Sequence, residues 1–144
     1  MDAIFSRLLP RAYAALAAQF FRFGVVGTLG FFVDTAVVYA LRGSLGLYGA
    51  RAVSFAIAVT FSWALNRAWT FRGRGSQSLY RQWALFVAAN SGGAALNIGT
   101  YVILVATVPV CAANPIIPVA AGAIAGMFVN FVFSRFVVFH APRS

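Results

Sequence analysis

The sequence predicts an all-α membrane protein in which four transmembrane helices form two tandem helical hairpins of the same orientation, with both termini in the cytoplasm. Three observations predict it. Of 144 residues, 62% are hydrophobic and 9% charged, with mean hydropathy +0.86, whereas a soluble domain carries about a quarter charged residues. Apolar runs of about 20 residues, the length that crosses a hydrocarbon core, occur four times. Polar residues, the rare letters of this chain, recur at fixed offsets between its two halves. The charged side chains are eleven Arg and two Asp, giving a net charge of +9. A nucleic-acid binder would gather such charge on a polar soluble face. Here the arginines punctuate apolar runs, so no nucleic-acid partner is expected.

Residues 1–19 read as a cytoplasmic or interfacial segment ahead of a transmembrane domain at 20–140. On a helix, Phe5, Leu8, Leu9, Ala12 and Leu16 share one face and Arg7, Arg11, Ala14 and Ala18 another, the pattern of a weak interfacial helix. Disorder is the alternative, since Pro10 would sit in the middle of that helix. Arg7, Pro10 and Arg11 also break any signal-peptide core, so cleavage is not expected. The spans are expected at about 20–42, 52–71, 83–108 and 115–139. Between them lie a Gly-rich connection at 43–51, a polar and basic one at 72–82, and a proline-bracketed one at 109–115.

Arginine placement sets the orientation. With both termini inside, the inner face holds Arg7, Arg11, Arg22, Arg67, Arg72, Arg74, Arg81, Arg135 and Arg143, and the outer face only Arg42 and Arg51. Positive charge stays on the cytoplasmic side. The expected location is the bacterial inner membrane.

The chain also repeats itself. An offset of 63 lays Gln19 on Gln82, Phe23 on Phe86, Thr28 on Ser91, Gly30 on Gly93 and Asp34 on Asn97. An offset of 68 lays S-W-A-L-N-R-A-W-T-F, from Ser62, on N-F-V-F-S-R-F-V-V-F, from Asn130, so that Arg67 meets Arg135 and Phe71 meets Phe139. The repeats cover about 20–72 and 83–140. Each starts and ends on the same side, so the two share one orientation. In the second span Ser54, Ala58, Ser62 and Asn66 recur every four residues, and in the fourth Gly122, Gly126, Asn130 and Ser134 do the same. In the first and third, Gly27, Gly30 and Asp34 match Asn90, Gly93 and Asn97. Residues four apart share a helix face, and small or amide-bearing faces pack against protein rather than lipid.

Asp34 is the one carboxylate inside a span, about 18 Å along the helix from Arg22. Ionised there it costs on the order of 2.5 to 3.5 kcal/mol, so it must be paired, hydrogen-bonded, protonated or hydrated. It reads either as a proton- or cation-responsive gate or sugar-hydroxyl acceptor, or as the partner of Asn97 or a serine. Arg67 and Arg135 close their stripes at the cytoplasmic boundary near Arg22, where guanidinium forks could hold a lipid phosphate. The plainer reading is snorkelling that fixes topology. Snorkelling is expected of Arg72, Arg74 and Arg81, which also attract anionic lipids. Trp69, Tyr80, Trp83, Phe71 and Phe139 form an aromatic belt at that boundary. Cys111 reads as a small loop residue, and with one cysteine and one histidine no metal site is expected. No nucleophile stands beside a base and no second acid beside Asp34, so catalysis and cofactors are not expected.

The run R-F-G-V-V-G-T-L-G-F-F-V-D, the N-R-A-W-T-F end of the second span and the N-F-V-F-S-R-F-V-V-F end of the fourth resemble the GtrA-like family over about residues 20–139. That resemblance implies a four-helix protein of polysaccharide and glycolipid biosynthesis. It implies movement of a polyprenyl-phosphate-linked monosaccharide between leaflets, or assistance to a membrane glycosyltransferase. It marks Arg22, Asp34, Asn66, Arg67, Asn130 and Arg135 as motif positions. The second copy departs from the motif, with Ser134 for Asn66 and Val137 for Trp69.

The combined expectation is a flippase. Arg22, Arg67 and Arg135 take the lipid phosphate, and Asp34, Asn97, Ser62, Asn66, Asn90, Asn130 and Ser134 line a polar path that lowers the desolvation cost of the sugar. Four short helices leave little room for a closed pathway, so a homo-oligomer is expected, with Gly122 and Gly126 as one contact face. Two other readings stand beside it: a non-catalytic anchor for a polyprenyl-phosphate glycosyltransferase, and a small proton-coupled exporter of cations.

Overall fold

The computed structural model describes residues 10–75, 78–114 and 116–140. Residues 1–9, with the proposed interfacial face from Phe5 to Leu9, and Arg143 lie outside them. The elements are α1 (Arg11–Leu65) continued by a π-helical turn (Asn66–Thr70), α2 (Leu79–Thr107), the short α3 (Pro109–Ala113), and α4 (Ile116–Phe133) continued by a second π-helical turn (Ser134–Val138). The described residues contain no strand. In hydrocarbon every backbone N–H and C=O must find a partner within the chain, and a helix supplies one locally. Exposed hydroxyls follow the same rule: Thr28, Thr60, Ser91 and Thr107 each donate to the carbonyl four residues back, at 2.7 to 3.0 Å.

The fold is built from two compact units divided between Arg74 and Gly75. In unit 1 the helix opens at Arg11, immediately after Pro10, whose carbonyl accepts from Tyr13 and Ala14. Proline therefore precedes the helix instead of interrupting it, where its missing N–H costs nothing. The helical path breaks at Gly46, with φ 70° and ψ 175°. Only glycine adopts that backbone without strain. The expected connection at 43–51 thus shrinks to a single non-helical residue. Around Gly46 the chain folds back, as four contacts in reverse order record: Asp34 with Arg51, Gly30 with Ser62, Arg22 with Trp69, and Phe23 with Phe71. Unit 1 is an antiparallel hairpin.

In unit 2 the first helix is capped by Ser78, whose hydroxyl accepts from the Arg81 N–H at 3.3 Å. The chain turns through Val108 and α3, which opens on Pro109 and buries Cys111, and returns as α4. Reverse-order contacts again mark a hairpin: Asn97 with Gly122, Gly93 with Gly126 and Asn130, and Phe86 with Phe139. At Gly126 an added Cβ would lie 2.8 Å from the Gly93 carbonyl oxygen, and at Gly122 it would lie 2.6 Å from that of Asn97. α2 and α4 therefore touch backbone to backbone. The Gly122 and Gly126 face is occupied within its own unit, which corrects the expectation that it meets a second copy. At the other end Gly75 N–H donates to the His140 carbonyl at 3.0 Å.

Each unit makes the same set of inner contacts at the offsets read from the sequence. The edge-on pair Phe23–Phe71 (6.2 Å, 61°) matches Phe86–Phe139 (6.1 Å, 64°). Gly30 under Ser62 matches Gly93 under Asn130. The two π-helical turns close alike, with Phe71 N–H on the Asn66 carbonyl at 2.8 Å and Phe139 N–H on that of Ser134 at 2.7 Å. Two helices, Tyr13–Thr70 and Ile116–Val138, are long and apolar enough to cross a membrane among the described residues. The first has 58 residues, far more than the roughly 20 one crossing needs, and Gly46 divides it. α2, with 29 residues, is diluted by Gln82, Asn90, Ser91 and Asn97.

Candidate functional site

The four-residue stripes are the buried faces of the hairpins. Ser54 and Asn66 in unit 1 and Gly122, Gly126 and Ser134 in unit 2 are buried, while Phe31, Phe32, Ile57, Ile124 and Phe128 are exposed. Polar side chains thus turn inward and large apolar ones outward, the reverse of a water-soluble arrangement.

The π-helical turns hold the inner ends of these stripes. Such turns add a residue to one helical cycle and concentrate at functional sites. In unit 1 the turn buries both Asn66 and Thr70, and the Thr70 hydroxyl donates to Asn66 Oδ1 at 2.7 Å. Arg67 follows Asn66 and is half-buried. On the facing arm the Arg22 guanidinium sits 6.0 Å from the Trp69 ring centroid, within cation–π range. Arg22, Arg67 and Trp69 therefore gather at one end of unit 1, next to the Phe23–Phe71 pair. In unit 2 the equivalent turn buries Ser134 and carries half-buried Arg135, whose guanidinium lies 5.5 Å from the Phe136 ring centroid. Val138 stands where unit 1 has Thr70, and the Ser134 hydroxyl has no hydrogen-bond partner among the described residues.

Further along unit 2, the Asn130 amide donates to Asn90 Oδ1 at the long distance of 3.5 Å, and Asn90 Nδ2 donates to the Phe86 carbonyl at 2.9 Å. Asn130 Oδ1 is buried without a partner among the described residues. Asn97 lies beside Gly122, with a Cβ there 2.6 Å from its Oδ1. Ser62 covers Gly30 in unit 1. Asn90, Asn97 and Asn130 are thus brought together along one hairpin, and Ser62 and Asn66 along the other.

Asp34 takes a partner that the sequence reading did not assign. Its Oδ2 bonds to Arg51 Nη1 across the Gly46 turn. The sequence places Arg51 among outer-loop charges, because a lone arginine in a Gly-rich stretch carries no periodic signal. Once the connection contracts to Gly46, Arg51 lies on a helix, on the arm opposite Asp34. Pairing lowers the cost of a carboxylate inside an apolar helix. Thr70 and Gln82, both fully buried, were also not assigned. Gln82 lies close to Gly75, and only its coincidence with Gln19 in the repeat hinted at it.

The family model of the GtrA/DPMS transmembrane domain matches residues 22–139. The chain belongs to this family. No curated protein matches it. The GtrA/DPMS match runs from Arg22 to Phe139, so it contains both π-helical turns, the Asp34–Arg51 pair and all three arginines of the expected phosphate site. GtrA-like membership makes this a membrane protein of sugar-lipid and polysaccharide biosynthesis, in a family that is generally non-catalytic.

Proposed function

We propose that the protein moves a polyprenyl-phosphate-linked monosaccharide across the bacterial inner membrane without chemical change. In this reading four spans with both termini cytoplasmic bring the arginine end of each hairpin to the inner surface, Arg22 and Arg67 in one and Arg135 in the other, where a guanidinium fork takes the lipid phosphate. The sugar then exchanges hydrogen bonds along Asn66, Ser62 and Asp34 in one hairpin and Ser134, Asn130, Asn90 and Asn97 in the other, while the isoprenoid stays in lipid. Such side chains replace water for hydroxyls that hydrocarbon would leave unsatisfied. Two or more copies complete the path.

The observation that carries this reading is the inward polar stripe ending at an arginine-bearing π-helical turn, present in each hairpin. Buried acceptors with spare capacity on Asn130 and Ser134 support it. The test is reconstitution of the full chain in vesicles with a labelled polyprenyl-phosphate sugar. Leaflet exchange should exceed that of protein-free vesicles and fall at least tenfold in Arg67→Ala with Arg135→Ala, a loss of one bidentate contact or more. Exchange no faster than in protein-free vesicles overturns it.

A second reading, an anchor for a polyprenyl-phosphate glycosyltransferase, is favoured by the exposed Leu79, Tyr80 and Arg81 at the start of the first helix of unit 2. It expects function to survive Asp34→Asn and to fail when the boundary from Arg67 to Arg81 is altered. The exporter reading needs Asp34 open to a cation, and the ion pair with Arg51 counts against it.

A further inference from the structure

The turn end of unit 1 carries a pair of charges that the hairpin does not need. Unit 2 closes the same aromatic pair, the same Gly-under-polar contact and the same π-helical turn with Asn97 in place of Asp34 and Val119 in place of Arg51. The comparison is internal to one chain, so packing alone does not account for the pair.

Arg51 is bonded to Asp34 through Nη1 alone, and its side chain is 63% exposed while that of Asp34 is 16% exposed. A guanidinium has five N–H donors in a rigid fork. Asp34 therefore occupies Nη1, and on a side chain this exposed the Nε and Nη2 donors have no hydrogen-bond partner among the described residues. Arg42, on the other arm and nearly the same number of residues from Gly46, is also exposed and stacks 4.5 Å from the Tyr39 ring centroid. The corresponding turn of unit 2, residues 107–116, has no charged residue. Unit 1 thus ends in two outward-facing guanidiniums, one of them braced by a carboxylate.

The geometry points to a phosphate-binding site at this turn, with Arg51 as the fork, Arg42 adding positive charge and Asp34 holding Arg51 while weakening its grip on an anion. Phosphate matches the free edge of a guanidinium bidentately. The adjacent carboxylate repels it, so binding here is loose, as suits a site from which a ligand leaves. Its role as the release site of a transported lipid phosphate rests on the proposed function. The binding itself does not.

The test is nitrogen magnetic resonance of the full chain, labelled at arginine, in phosphatidylcholine nanodiscs. The Arg51 signal is the one lost in Arg51→Gln. Farnesyl phosphate, inorganic phosphate and farnesol are titrated separately. Farnesyl phosphate should shift the Arg51 signal saturably, and Asp34→Asn, which keeps the fork and an amide of the same shape beside it, should lower the midpoint about tenfold by removing the repelling charge. A response to farnesyl phosphate alone identifies a lipid-borne phosphate, and an equal response to inorganic phosphate a free one. No response to either, an equal response to farnesol, or an unchanged or higher midpoint in Asp34→Asn overturns the proposal. No transport is measured, so failure of the flippase reading leaves this result standing, and the reverse.

Discussion

Phe71 meets Phe23 edge-on, with ring centroids 6.2 Å apart and an interplanar angle of 61°. Phe139 and Phe86 repeat the contact in unit 2 at 6.1 Å and 64°. Both Phe71 and Phe139 are fully buried, so truncating either leaves a cavity at the arginine-bearing end of its hairpin. Phe71→Ala and Phe139→Ala should each cost about 3 kcal/mol, read as a lower midpoint in detergent-denaturant titration. A large loss in one with none in the other would show that the two contacts are not equivalent.

Backbone contact between α2 and α4 makes glycine at 122 and 126 a steric requirement. Gly126→Val should push the helices apart and lower thermal stability in micelles by 2 kcal/mol or more, on the order of core overpacking. Gly27, around which an added Cβ meets nothing within 4 Å, serves as the control. Gly27→Ala should leave the melting temperature unchanged or slightly raised through helix propensity.

Removing one member of the Asp34–Arg51 pair strands the other. Arg51→Leu should reduce the amount of folded protein in the membrane, by a cost on the order of 2.5 to 3.5 kcal/mol. Arg51→Leu with Asp34→Asn should recover most of it. Equal accumulation of wild type and Arg51→Leu, measured by membrane fractionation, would show that Asp34 is stabilised without its partner.

The proposed orientation, with both termini inside, predicts which face each hairpin turn meets. In a Cys111→Ala background, a cysteine at Ser44 should react with an impermeant maleimide from outside the cell, and one at Leu79 only after the membrane is opened. Both positions are exposed. The unaltered chain should stay unlabelled, because Cys111 is its one cysteine and is buried. Labelling of Leu79→Cys in intact cells would reverse the orientation.

The buried stripes were legible because polar letters are scarce here. With so few serines and asparagines, spacing of four between Ser54 and Asn66 stands out against apolar background. Offsets of 63 and 68 exposed the correspondence of Gly30 with Gly93 and Phe71 with Phe139 for the same reason. What could not be read was backbone detail. A hydropathy window sees Gly43, Gly46 and Gly49 as one loop, whereas only Gly46 leaves the helical region. Nor does composition reveal that the helices end in π-helical turns, since the extra residue per cycle depends on how Asn66 and Ser134 are packed. Arg51 was hidden by the same window, and with it the partner of Asp34. Gly122 and Gly126 were read as small and inward, but a pattern of small residues names no partner, and theirs lies on α2.

Each hairpin makes its own aromatic and glycine contacts. Synthesis can therefore proceed in instalments, since the contacts named for the first hairpin all lie within residues translated before Gly75. A gene of this kind tolerates divergence between its halves, and the unmatched Asp34 and Arg51 are where the first copy has used that freedom.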